Sequence, residues 1–265
     1  MAGSQIAYKG QLKIATKASN QITYPEEIFY SPPFKLTNHF RLDDGGIEYM
    51  LMNASAGIMA GDDLNIQIKV GAESKLLLSS QSYEKVHKME TGFARRVTQV
   101  QIASGGYFCY NQLPIVPFAA STFINQTNIY LEDLTSKLIL SEIVAGGRIA
   151  RNEKFDYTCY HGLIDIYYQG KIIYRDNCYL EPKNMNLCEF GFYEGYSHMG
   201  MMVIYGFSKD TLVIIESIIQ EAKIDSGVTQ LLNNGYLIRG FANNAESLVN
   251  LFILISKQIN SSSKY

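Results

Sequence analysis

Leu64-Asn65-Ile66-Gln67-Ile68-Lys69-Val70 alternates apolar and polar residues without a break and stops at Gly71. A period of two sends every second side chain to the same side, so the stretch predicts a β-strand with one buried face and one wet face. Working outward, similar runs occur at residues 12–16, 48–52, 75–79, 97–102, 107–110, 123–130, 137–143, 163–168 and 172–177. Turn chemistry separates them: Asp43-Asp44-Gly45-Gly46, Ser104-Gly105-Gly106 and Gln169-Gly170. Short strands at this spacing, with no long helix between them, predict antiparallel sheets packed on each other or wound in layers.

The pattern changes near residue 200. Residues 201–207 read as a strand. Ser208 or Asp210 can then cap a helix running to about Lys223, with Leu212, Ile215, Ile218, Ile219 and Ala222 on its apolar side. Strands at 228–232 and 236–241 follow, joined by Asn233-Asn234-Gly235, residues that tolerate the positive φ of a tight hairpin. Asn244 can cap a last helix in which Leu248, Leu251, Phe252, Ile255 and Ile259 recur at helical spacing. The expected fold is one domain over 1–265, mainly β, with layered and mostly antiparallel sheets. A β-rich core spans 1–199, a small α+β C-terminal lobe with about two helices spans 200–260, and 261–265 form a frayed tail.

Composition removes several function classes. Lys and Arg number 23 against 25 Asp and Glu, so no basic excess exists to grip a phosphate backbone or an anionic membrane surface. No run reaches the ~18 apolar residues of a membrane span. The first 17 residues lack the apolar centre of a signal peptide, so a cytoplasmic location is expected. The 19 Tyr and 13 Phe, with no Trp, tilt the expectation toward strands. Tyr also suits protein interfaces, which makes 157–160, 167–168 and 193–196 candidate partner surfaces.

Catalytic and cofactor patterns are missing. The double glycines at 45, 105 and 146 lack the Lys and helix of a phosphate-binding loop. Gly195-Tyr196-Ser197-His198-Met199-Gly200 misses a nucleophile elbow by one position. Cys109, Cys159, Cys178 and Cys188 have irregular spacing, unlike the close ligand pairs of structural zinc. His39, His87, His161 and His198 form no i, i+2 or i, i+4 pair, which argues against a tight imidazole site. His198 with Met199, Met201 and Met202 resembles a soft-metal cluster, but Met on a strand is more often core filler.

Four segments share an order with one known family: Ser55-Ala56-Gly57-Ile58-Met59-Ala60-Gly61-Asp62, Ser79-Ser80-Gln81-Ser82-Tyr83-Glu84-Lys85-Val86, Leu113-Pro114-Ile115-Val116-Pro117-Phe118, and Ser141-Glu142-Ile143-Val144-Ala145-Gly146-Gly147-Arg148-Ile149-Ala150-Arg151-Asn152-Glu153. Together they resemble the UreD/UreH urease accessory proteins. Gly57, Gly61, Gln81, Lys85, Pro114, Pro117, Gly147 and Arg148 carry the likeness. Many members have a Gly pair where this chain has Ala56-Gly57, which leaves the shape of that turn open.

The resemblance implies a protein without catalytic activity that binds a helical partner, UreF, and through it the GTPase UreG. The assembly docks on apo-urease and passes Ni²⁺ toward a buried site whose metal-bridging lysine is carbamylated. The resemblance also implies an internal water-filled passage for the ion. No tightly bound cofactor is implied, only nickel in transit. Asp62 and Glu142 are the expected conduit residues, because both stand among glycines and apolar residues where a carboxylate is costly. The structural alternatives are a turn cap for Asp62 and an ion pair of Glu142 with Arg148 or Arg151. Lys85 and Arg148 are expected to hold the fold by pairing with these acids. Rival readings are a β-sandwich hydrolase using carboxylates and a β ligand-binding module.

Overall fold

The structure, a computed structural model, describes residues 7–262. Of the expected tail, residues 263–265 lie outside the described residues, whereas Ser261 and Ser262 close the last helix. The chain opens with a hairpin, β1 (Gln11–Ser19) and β2 (Ile22–Tyr30). Three strands follow: β3 (Phe34–Leu36), β4 (Phe40–Arg41) and β5 (Ile47–Asn53). The central part contains β6 (Asp63–Val70), β7 (Lys75–Ser80), β8 (Glu84–Val86), β9 (Ala94–Ile102), β10 (Tyr107–Asn111), β11 (Ile115–Pro117), β12 (Thr122–Leu131), β13 (Lys137–Ala145), β14 (Cys159–Tyr168) and β15 (Lys171–Leu180). Last come β16 (His198–Tyr205), α1 (Thr211–Ala222), β17 (Asp225–Leu231), β18 (Gly235–Ala242) and α2 (Ala245–Ser262).

The strands form two sheets, one ordered β15-β14-β12-β9-β6-β1-β2 and the other β17-β18-β16-β13-β10-β7-β5-β3, with β4, β8 and β11 attached to the second. The mainly β character and the two C-terminal helices match the sequence expectation. The predominance of antiparallel pairing does not. β1, β6, β9, β12 and β14 pair in parallel through the first sheet, as do β5, β7, β10 and β13 in the second. Antiparallel pairs lie toward the ends of the sheets. The cause is the winding. From β6 to β14 the chain moves alternately between sheets, so strands adjacent in one sheet are separated in sequence by strands of the other and run the same way. A strand in the opposite sheet takes the place of the usual crossover helix.

Side-chain alternation then builds the interior. Leu64, Ile66, Ile68 and Val70 of β6 are buried while Gln67 and Lys69 are exposed. They join a core between the sheets that includes Leu76, Phe108, Leu140, Ile164 and Val203. A second core lies between the other face of the second sheet and the helices, with Ile139, Ile143, Met202, Ile215, Leu248, Phe252 and Ile255. Asn244 caps α2 by accepting from the Ser247 amide at 2.9 Å, and Ser256 ties the helix to β10 through Asn111 Nδ2 at 2.9 Å. A Cβ on Gly200 would lie 2.9 Å from the Phe252 ring. Phe252→Ala would open this packed layer at a cost of about 3–5 kcal/mol.

The loop signals also hold. Asn233 and Asn234 have φ of 56° between β17 and β18. No described helix is long and apolar enough to cross a membrane.

Candidate functional site

At one level of the first sheet, the inward column reads Leu64, Arg96, Asn125 and Gly162, each in register with the next. Strand pleating therefore points a guanidinium and an amide into the space between the sheets. Glu142 of β13 enters the same space from the second sheet. Arg96, Asn125 and Glu142 are only 3%, 2% and 6% exposed, so their polar groups need partners inside the protein.

They supply one another. Glu84 Oε2 accepts from Arg96 Nη1 at 3.0 Å, and Arg96 Nε donates to Asn125 Oδ1 at 2.9 Å. Asn125 Nδ2 donates to Glu142 Oε2 at 2.6 Å, and the Tyr160 hydroxyl donates to Glu142 Oε1 at 2.7 Å. Gly162 makes this convergence possible: a Cβ there would lie 3.0 Å from the Tyr160 oxygen and 3.2 Å from Glu142 Oε1. Burial raises the pKa of Glu142 above the usual carboxylate range, although Tyr160, Arg96 and Asn125 all favour its charged form.

Glu142 also lines a groove of about 430 Å³ between β15 of the first sheet and β16 and β18 of the second. Asp176 on β15 and Arg239 on β18 also line the groove and join the two sheets by an ion pair. Met199, Met201 and Phe192 supply apolar wall. Two smaller cavities lie inside. One, of about 20 Å³, touches Glu142, Arg96, Tyr110 and Gln112; the other, of about 30 Å³, touches Tyr110, Gln112, Glu84 and Asn53. Each has room for a water molecule. Shared lining residues make the three spaces neighbours: Glu142 borders both the groove and the first cavity, and Tyr110 and Gln112 border both inner cavities.

Asp62 lies elsewhere. It is 2% exposed, and its carboxylate accepts the backbone amides of Tyr8 and Met59, both at 2.8 Å. It lines neither the groove nor the two inner cavities. The expected pairing of Arg148 with Asp62 or Glu142 also gives way. Arg148 pairs with Glu153, five residues on, and stacks 4.1 Å over Phe118. Glu142 is satisfied instead by Asn125 and Tyr160. Lys85 is exposed on β8, and its carbonyl accepts the Ile58 amide at 2.8 Å.

The remaining motif residues build one end of the sandwich. Ile58 bridges to Val86, β8 pairs with β11, and β11 pairs with β13, so four distant segments meet. Gly57 takes φ of 146°, and a Cβ on it would run into the Lys85 carbonyl. Ala56 beside it is exposed and has no positive φ, so the missing second glycine costs nothing here. Gly61 donates its amide to Phe93 O at 3.0 Å, exposed Gln81 donates its own to Leu51 O at 3.0 Å, and Pro114 O accepts from Glu84 N at 2.9 Å. Pro117 is buried at the end of β11, and Gly147 turns at φ of 134° just before Arg148.

Other singled-out residues are internal. Ser197 Oγ and His198 Nδ1 lie 2.8 Å apart, both buried, and burial lowers the His198 pKa to about 4. Met199 and Met201 pack toward the core between the sheets and Met202 toward the core under the helices, so the three methionines do not gather on one face. Tyr157, Tyr160 and Tyr193 are buried, which withdraws much of two expected partner surfaces. Exposed aromatics instead gather on β2 and β4, with Phe29, Tyr30 and Phe40 the most open there. Among the described residues, no three His, Cys, Asp or Glu side chains stand close enough to hold a metal ion.

A family model described as UreD urease accessory protein matches residues 8–263. The chain belongs to the UreD urease accessory protein family. Similar relatives include the urease accessory protein UreH of Helicobacter hepaticus, 35% identical over 250 residues that make up 93% of this chain and 96% of that one. The UreH of Helicobacter acinonychis is 34% identical over 85% of each chain. The urease accessory protein UreD of Acetivibrio thermocellus is 32% identical, covering 93% of this chain and 95% of its own. UreD membership supports a role in urease maturation and implies interaction with other maturation factors. Arg96 and Asn125 were not singled out from the sequence, and Tyr160 only as part of a candidate partner surface, yet a signal existed. Arg96 and Asn125 occupy inward positions of the runs Ala94-x-Arg96-x-Thr98-x-Val100 and Phe123-x-Asn125-x-Thr127-x-Ile129, where an apolar residue is the default.

Proposed function

We propose that this UreD family member is a non-catalytic scaffold of urease maturation. It binds a UreF-like helical partner, engages a UreG-like GTPase through that partner, and docks on apo-urease in the cytoplasm. In that assembly it gives Ni²⁺ a protected route toward the active site and keeps no metal or other cofactor for itself.

The observation that carries the reading is Glu142, a buried carboxylate shared by an open groove and an inner cavity. Ni²⁺ travels hydrated, and a route for it must attract the ion yet release it. Single oxygen donors assisted by water do this better than an imidazole cage, which binds Ni²⁺ tightly. Glu142 is costly to ionise where it stands, so an arriving cation stabilises it, while the lack of further ligands lets the ion leave. The route runs from the groove, past the Asp176–Arg239 pair, to Glu142 and on through the two inner cavities to Glu84. Asp62 plays a different part: its carboxylate is engaged by backbone amides, so it shapes the turn.

A carboxylate hydrolase would need two acids free to act, and Asp176 is held by Arg239. A ligand-binding module would use the same groove and would keep its ligand through purification. The test is genetic and chemical together. Cells lacking this chain are expected to make urease protein that is poor in nickel and inactive, and the chain is expected to co-purify with the helical partner and the GTPase. Normally metallated, active urease in such cells would overturn the proposal.

A further inference from the structure

Glu142 and Glu84 are the acids at the two ends of the inner cavities, and Arg96 stands between them. Resting on the conduit reading above, we infer that Arg96 is the residue that keeps the route from becoming a trap: its fixed charge sets how weakly Ni²⁺ is held at Glu142.

The argument begins with placement. Arg96 is 3% exposed, so its charge is screened by neither bulk water nor salt. It reaches both acids, directly to Glu84 Oε2 at 3.0 Å and through the Asn125 amide to Glu142 Oε2. It lines the inner cavity that Glu142 also lines, so a cation at that carboxylate feels the guanidinium across a short distance enclosed by protein. The ring of Phe123 lies 5.6 Å from the guanidinium carbon and helps to fix its position. Arg cannot release its proton, so this repulsion is permanent.

Without Arg96, the buried Glu142 and the half-buried Glu84 would share the interior with no compensating cation. Such a space binds a divalent ion strongly, which suits storage and defeats transfer. With Arg96 present, Glu84 is neutralised and Glu142 is left as a single weak station. The same asymmetry sets opposite expectations for two substitutions. Arg96→Gln keeps a donor for Asn125 and removes the charge, so nickel should bind more tightly. Glu84→Gln leaves the Arg96 charge unneutralised, so nickel should bind more weakly. A purely structural role for Arg96 would loosen the fold in both variants and could not strengthen metal binding in either.

The experiment is equilibrium dialysis of the purified full chain against Ni²⁺, with metal analysis of the protein fraction at fixed pH and ionic strength. Arg96→Gln is expected to tighten retention by at least about tenfold. Arg96→Lys should match the unsubstituted chain, and Arg96→Gln with Glu142→Gln should lose the gain. Unchanged retention in Arg96→Gln, or a gain that persists without Glu142, overturns the inference. Should Arg96→Gln not fold, Glu84→Gln decides: nickel held as tightly as in the unsubstituted chain, or more tightly, counts against it. The readout needs no urease, so the inference and the delivery role fail separately.

Discussion

Asn125 donates to Glu142 across 2.6 Å of the space between the sheets, and it cannot turn over to do otherwise. Its Oδ1 is already committed to Arg96, which has only donors. The amide orientation is thereby fixed, and a hydrogen-bond donor always faces Glu142. On the other oxygen, the Tyr160 hydroxyl is free to donate or accept. The carboxyl group therefore stands between one rigid neighbour and one adaptable neighbour, which suits a group that meets a cation and then loses it.

This arrangement costs stability. Burial raises the Glu142 pKa above its ordinary 4.5. As pH rises from below 4.5, the unfolded chain gives up this proton first, so folding is progressively disfavoured until the folded protein ionises as well. Glu142→Gln removes the penalty, and its amide can face Asn125 with oxygen and Tyr160 with nitrogen. The variant is expected to melt at a higher temperature than the unsubstituted chain at pH 7, with the advantage fading below about pH 4.5. Thermal unfolding across that range checks the sign.

Gly162 is expected to resist the smallest enlargement. In Gly162→Ala the new methyl group enters the space where Tyr160 meets Glu142, forcing the hydroxyl off Oε1. The cost should be about 1–3 kcal/mol by urea denaturation. It should shrink when Tyr160→Phe is also present, because the displaced contact is then already gone. Additive losses would show that the methyl group disturbs something else.

Asp62→Ala separates the two acids first picked out together. It removes the acceptor for the Tyr8 and Met59 amides, and stability should fall by about 1–3 kcal/mol. Nickel delivered per folded molecule should not change. Loss of delivery at unchanged stability would return Asp62 to the route.

Much of this was legible in the residues. The alternation from Leu64 to Val70, the Asn233-Asn234-Gly235 turn and the spacing from Leu248 to Ile259 each encode their element locally, so they read correctly. Strand direction did not read, because parallel and antiparallel strands share a period of two and the winding depends on contacts between distant segments. The site was half visible. Glu142 stood out as an acid within an apolar run. Its partners, Arg96 and Asn125, are separated from it in sequence and meet it only because β9 and β12 of one sheet face β13 of the other. Arg148 and Glu142 lie close in sequence but project differently from the end of β13, so nearness along the chain misled.

The most direct measurement is nickel per active site in urease matured with Glu142→Gln in place of the unsubstituted chain, at limiting nickel and with complex formation checked by pull-down. An intact complex with nickel content reduced about tenfold or more is the expected result. Fully metallated urease from that intact complex would contradict the claim that the ion passes Glu142.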